Sequence, residues 1–108
     1  MSPPATDGMP DRASKIEALL RGWDLNDEER TALRGHDESD ADQAERLSRL
    51  SAIVGGLYLL FPENPEIRRD WVRRDNYALG WRSPLQVILA EENGLRTVAR
   101  LIHAQLQV

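Results

Sequence analysis

The chain has 108 residues, no cysteine and a net charge of −4. That length suits one domain with an apolar core of its own, and without a thiol there are no disulfides, thiolate metal sites or cysteine nucleophiles. The acids gather early: residues 1–40 hold ten acids against five bases, and residues 41–108 hold eight against nine, so the N-terminal part repels nucleic-acid phosphate.

Residues 1–10 carry three of the six prolines with Asp7 and Gly8, and read as a disordered leader. No basic stretch followed by an apolar one appears there, so no signal peptide is expected and the protein reads as cytoplasmic. From about Asp11, Ile16, Leu19, Leu20 and Trp23 recur at helical spacing and predict a short first helix. Asn26 offers an N-cap, with Glu29 three residues on to complete a capping box. The helix that follows turns Leu33 inward and ends at Gly35. Residues 36–42 form an acidic loop.

The third helix is the longest, predicted over Ala41 to Phe61. Its first half is amphipathic, with Ala44, Leu47 and Leu50 set against Glu45, Arg46 and Arg49. Its second half is apolar nearly all round, which predicts a central element buried on every side. This run, Ala52 to Pro62, falls far short of the roughly 20 residues that span a bilayer. Gly55 and Gly56 inside it each cost about 1 kcal/mol relative to Ala, which close approach of another helix or a kink would explain.

Pro62 stops that helix, and Asn64-Pro65-Glu66 starts the next with a capping Asn, Pro at the first helical position and an acid near the positive dipole end. Ile67, Trp71 and Val72 face inward. Arg68, Arg69, Arg73 and Arg74 line the outside, either as a solvated face or as a docking patch for an acidic partner. Ser83-Pro84-Leu85-Gln86 is another helix start, and Asn93-Gly94 a turn. The last helix carries two apolar stripes: Leu95, Val98, Ile102 and Leu106, then Leu101, Ala104 and Val108. Two stripes fit either a wide buried face or one stripe for the core and one for a partner. No segment alternates like a strand. The fold class is all-α: a compact single-domain bundle of about five to six helices around a buried central helix.

Catalytic chemistry finds no foothold. His36 and His103 stand far apart with no ligands at metal spacing. Ser, His and Asp lack a nucleophile elbow, and no glycine loop cradles phosphate. Glu91 and Glu92 are adjacent and point about 100° apart on a helix, unsuited to a carboxylate dyad. The expectation is no enzyme, no catalytic residue, no cofactor and no metal.

One stretch is specific. From Trp71 to Leu106 the chain reads WVRRDNYALGWRSPLQVILAEENGLRTVARLIHAQL. With Trp71, Asn76, Gly80, Ser83, Pro84, Leu85, Gly94, Leu95 and Val98 in order, it resembles the toxin-binding domain of Xre/MbcA/ParS antitoxins. The upstream RLSRLSAIVGGLYLLFP is similar to the helix that precedes the family's Trp. The resemblance implies a toxin-binding domain over residues 46–108, after a degenerate helix-turn-helix-like part over 11–45. It implies a bacterial toxin–antitoxin pair, in which the antitoxin blocks the active site of a RES-domain, NAD-consuming toxin. The interface would then lie on the last helix, at Arg96, Arg100, His103, Gln107 and Val108. Many members also bind DNA as autorepressors. Here the would-be recognition helix opens with Asp37, Glu38, Asp40 and Asp42, which argues against DNA. The alternatives are such a repressor or a plain helical dimerisation module.

Overall fold

Side chains at the helix ends set the element boundaries in the computed structural model, which describes residues 12–35 and 39–107. The expected leader at residues 1–10 lies outside the described residues, as do His36, Asp37, Glu38 and Val108. Six α-helices follow one another: α1 (Arg12–Leu20), α2 (Asp27–Arg34), α3 (Asp40–Leu60), α4 (Pro65–Asp70), α5 (Pro84–Ala90) and α6 (Gly94–Leu106). Short 3₁₀ turns occupy Arg21–Trp23, Trp71–Arg73 and Tyr77–Leu79. Among the described residues there is no strand, only an isolated bridge between Asn76 and Arg82. The class is all-α, as the periodicity predicts. Among the same residues no helix is long and apolar enough to cross a membrane.

The predicted caps are in place. The Asn26 side chain accepts from the Glu29 N–H at 2.8 Å, and Glu29 Oε1 accepts from the Asn26 N–H at 3.0 Å. Ser83 and Gln86 exchange the same pair of bonds at 3.1 and 2.8 Å. Asn64 caps α4 above Pro65. Each such cap is worth about 1 kcal/mol. Helix α3 starts one residue earlier than expected because Ser39 caps it, accepting from the Asp42 N–H at 3.1 Å.

Helix α3 is the spine, packed against α1 on one flank and α6 on another. One apolar cluster runs through the molecule: Ile16 and Leu20, then Trp23 and Leu33, then Leu50, Ile53 and Leu57, then Trp71 and Val72, and finally Val87, Val98 and Ile102. It draws on both sides of the expected boundary at residue 45. One expectation fails. The apolar half of α3 is not buried on every side: Ala52 and Gly55 face outward, Tyr58 is 55% exposed and Leu59 71% exposed. Two flanking helices and a few turns cover one side of a helix and cannot enclose it.

The paired glycines separate cleanly. A Cβ on Gly55 would meet nothing within 4 Å, whereas one on Gly56 would collide with Ile102 Cγ2. Ile102 is buried, and a β-branched side chain in a helix has essentially one rotamer, so it has no easy escape. Gly94 at the start of α6 is tighter still, since its Cβ would lie 2.6 Å from Ile88 Cα and 2.9 Å from the Val87 carbonyl carbon. Gly55→Ala should therefore stabilise the protein by up to about 1 kcal/mol through helix propensity. Gly56→Ala gains the same propensity but overpacks, at about 1–3 kcal/mol, and should come out less stable than the native chain. Denaturant melts of the two variants check the order, and an equal rise in both would refute a tight α3–α6 contact.

Candidate functional site

Among the described residues no group of three or more His, Cys, Asp or Glu is placed to hold a metal ion. A groove of about 600 Å³ opens between α1, the end of α3 and α4, and is lined by Leu19, Val54, Leu57, Tyr58, Arg21 and Arg68 among others. Its lining is apolar side chains and guanidinium groups. Two other parts of the surface stand out as places of contact.

The first is the outer face of α6. Its inner face buries Val98, Ala99 and Ile102, with Leu95 and Leu101 packed against the core. Of the second apolar stripe, Leu101 is part of the packing and Ala104 is exposed, while Val108 lies outside the described residues. Leu106, placed on the core stripe, is 37% exposed. The outward face is polar instead. Arg96, Arg100, His103 and Gln107 follow at i, i+4, i+7 and i+11, which puts them in one row along the helix. The fold thus brings four of the five expected interface residues together, and the fifth, Val108, lies outside the described residues.

Within that row the partners differ. Arg96 Nη2 reaches Glu45 Oε2 at 3.1 Å, and this hydrogen bond holds the Glu45 carboxyl below its ordinary range. Arg100 is exposed. The Gln107 amide nitrogen lies 2.8 Å from His103 Nε2, so in the neutral ring with its proton on Nδ1 the amide donates and the ring accepts.

The family-motif residues act as scaffold. Trp71, Ser83, Pro84, Leu85, Gly94 and Val98 are buried and Leu95 is half-buried. Asn76 organises the loop, because its side chain accepts from the Ala78 N–H at 3.0 Å and its carbonyl accepts from the Trp81 N–H at 2.9 Å. Gly80 takes φ +70, the left-handed region that suits glycine. The arginine run is also mostly structural. Arg68 donates to the Phe61 carbonyl at 2.6 Å and stacks over the Tyr58 ring, 4.0 Å from its centre. Arg69 pairs with Asp70 at 3.1 Å. Arg73 grips Glu29 at 2.7 Å and the Asp24 carbonyl at 3.0 Å. Arg74 alone of the four is simply exposed.

The second part is one that sequence reasoning missed. In the loop between Asn76 and Arg82, Tyr77 is 78% exposed and Trp81 66% exposed. Their rings meet edge to face, with centroids 5.6 Å apart. Trp81 has φ +67, a conformation that is an outlier for a bulky side chain. The available signal was two aromatics four residues apart in a segment too broken by Gly80 and Pro84 to form a helix that would bury them.

Compared with known proteins, residues 56–105 match the family described as the antitoxin Xre/MbcA/ParS C-terminal toxin-binding domain. No curated protein and no solved structure gives a match. The matched segment runs from the tight point of α3 at Gly56 through the Tyr77–Trp81 loop and most of α6.

The Glu29–Arg73 pair joins the capping box of α2 to this segment across the fold. Arg73 hydrogen bonding first, and the Asn26 N–H second, hold the Glu29 carboxyl below its ordinary value of 4.5 against the opposing pull of burial. A depressed carboxyl stabilises the fold above its unfolded pKa, and that contribution is lost as pH falls through the lower folded value. Glu29→Gln should lower stability at pH 7 by up to about 1 kcal/mol, with Gln still able to serve the capping box. Melts taken from pH 7 down through pH 4 should show the gap to the native chain closing on the acid side; a gap that does not depend on pH would show that the charge of Glu29 is not what matters.

Proposed function

We propose that this chain, which carries the toxin-binding domain of the Xre/MbcA/ParS antitoxins over residues 56–105, neutralises a RES-domain toxin by covering its NAD-consuming active site. The antitoxin domain supplies the kind of partner, and the outward row on α6 supplies a means. That row is the observation that carries the proposal. It is polar and largely unclaimed by the core, and it leads toward the helix end, where Ala104, Gln105, Leu106 and Gln107 are all exposed. Arg100 presents a planar cation, as does the nicotinamide ring of NAD⁺, and His103 with Gln107 offers an amide and an imidazole beside it. Arg96 is held by Glu45 and so enters the interface already oriented. In this reading the antitoxin acts in the cytoplasm, needs no cofactor, and is not itself an enzyme.

Charge gives the repressor alternative no support. Arg34 is paired with Glu17 at 2.7 Å, Arg46 donates to the Leu33 carbonyl at 2.9 Å, and Arg49 pairs with Glu45 at 3.5 Å. The bases nearest a would-be recognition helix are thus engaged within the chain, and Asp42 stands exposed at its start. Phosphate contact needs free cations.

Co-expression with a RES-domain toxin tests the proposal. Growth should be restored, the two proteins should purify together, and NAD⁺ consumption by the toxin should stop. Arg100→Glu with His103→Ala should weaken the complex by at least about tenfold, while shifting Tm by no more than about 4 °C, as exposed substitutions do. A variant that inhibits as well as the native chain would remove the α6 row from the interface.

A further inference from the structure

Resting on the toxin-binding reading above, we infer that Tyr77 and Trp81 form a second, preformed anchor of the toxin interface, inserting into an apolar pocket on the toxin surface. Three observations carry this. First, the two rings are the most exposed aromatics among the described residues, and they sit together on one loop within residues 56–105, each more than half exposed. Exposed aromatics are costly to leave in water and are over-represented among the few residues that carry binding energy.

Second, the loop is built to hold them out. The Asn76 N–H donates to the Arg82 carbonyl at 3.0 Å, the Trp81 N–H to the Asn76 carbonyl at 2.9 Å, and the Gly80 N–H to the Tyr77 carbonyl at 3.1 Å. Leu79 is buried between the two aromatics in sequence and pins the loop to the core. Arg82 donates to the Leu79 carbonyl at 3.2 Å and to Glu91 at 2.7 Å, tying the loop to the turn that precedes α6. The anchor and the α6 row are therefore fixed to one frame, and rings held before contact lose little freedom on binding.

Third, Trp81 occupies a position whose positive φ suits glycine. A bulky residue kept there, with its ring turned to solvent instead of to the core, points to a use outside the fold. The pocket it fits is lined by aliphatic or aromatic side chains, with a carbonyl acceptor for the indole N–H at its wall. The occupant is the toxin because the loop lies inside the matched toxin-binding domain.

Trp81→Gly tests this directly, since it removes the ring and relieves the backbone. The variant should melt at or above the native Tm, yet bind the RES-domain toxin that the native chain neutralises at least about tenfold more weakly by calorimetry. Tyr77→Ala should weaken binding in the same direction without loss of fold. Trp23 and Trp71 are buried, so a blue shift in emission on adding toxin should report Trp81 and vanish in Trp81→Gly. If the native chain binds and Trp81→Gly binds equally well, this inference falls and the toxin-binding reading stands. If the native chain does not bind the toxin at all, both fall. If Trp81→Gly splits a homodimer while toxin affinity is unchanged, the rings face a second copy and the inference falls.

Discussion

The close contact of α3 with α6 at Gly56 sets what the rest of the molecule can present. With no Cβ at Gly56, Ile102 enters the space a side chain would fill, and Leu106 lies alongside. At the other end Arg96 reaches Glu45. Contacts ascend together along the two helices, so they run in the same direction and α6 is clamped at both ends. Gly94 lets the start of α6 sit against the Val87 carbonyl of α5. Once these points are fixed, the rotation of α6 about its axis is fixed too. Val98 and Ile102 must go inward, and Arg100, His103 and Gln107 must go outward.

That constraint explains what could be read from the sequence and what could not. Caps are local, so Asn26, Asn64 and Ser83 announce themselves by the residue that follows at one, two or three positions. The Gly55-Gly56 pair announced close approach but not which glycine needs it, because the answer depends on where Ile102 arrives. The burial of α3 was misjudged for a similar reason. Hydropathy describes what a helix offers, while the number of neighbours decides what is accepted, and here they cover one side of Ala52 to Leu60. For the second stripe of α6 the sequence left two readings open, a wide buried face or a face for a partner, and Leu101 packs into a core wider than one row of contacts. The positive φ of Trp81 has no signal in the sequence, because Gly80 beside it is the residue type that readily takes such an angle.

The arginines, thirteen of the fourteen lysine and arginine residues, are used in a way lysine cannot match. Arg73 bonds a carboxylate and a backbone carbonyl at once, Arg82 does the same with Glu91 and Leu79, and Arg68 divides its guanidinium between the Phe61 carbonyl and the Tyr58 ring. Each task needs a planar, forked donor. In the charge run over residues 68–74, Arg68 and Arg73 brace one element against another, Arg69 pairs with its neighbour Asp70, and Arg74 stays exposed.

This division of labour bears on how such a domain chooses a partner. The residues that make it recognisable, Trp71, Asn76, Gly80, Ser83, Pro84, Leu85, Gly94, Leu95 and Val98, are spent on burial, caps and turn geometry. They specify a shape, and any chain that keeps them keeps the shape, whatever it binds. Discrimination between partners must then come from positions that the shape leaves free, because only differential contact separates one partner from another. In this chain the side chains that the shape leaves exposed include Tyr77 and Trp81 on the loop and Arg100 and His103 on α6. Arg82, bonded to Glu91, links that loop to the turn before α6. A partner that touched both surfaces would have to fit both at once, and that joint requirement would be more selective than either surface alone.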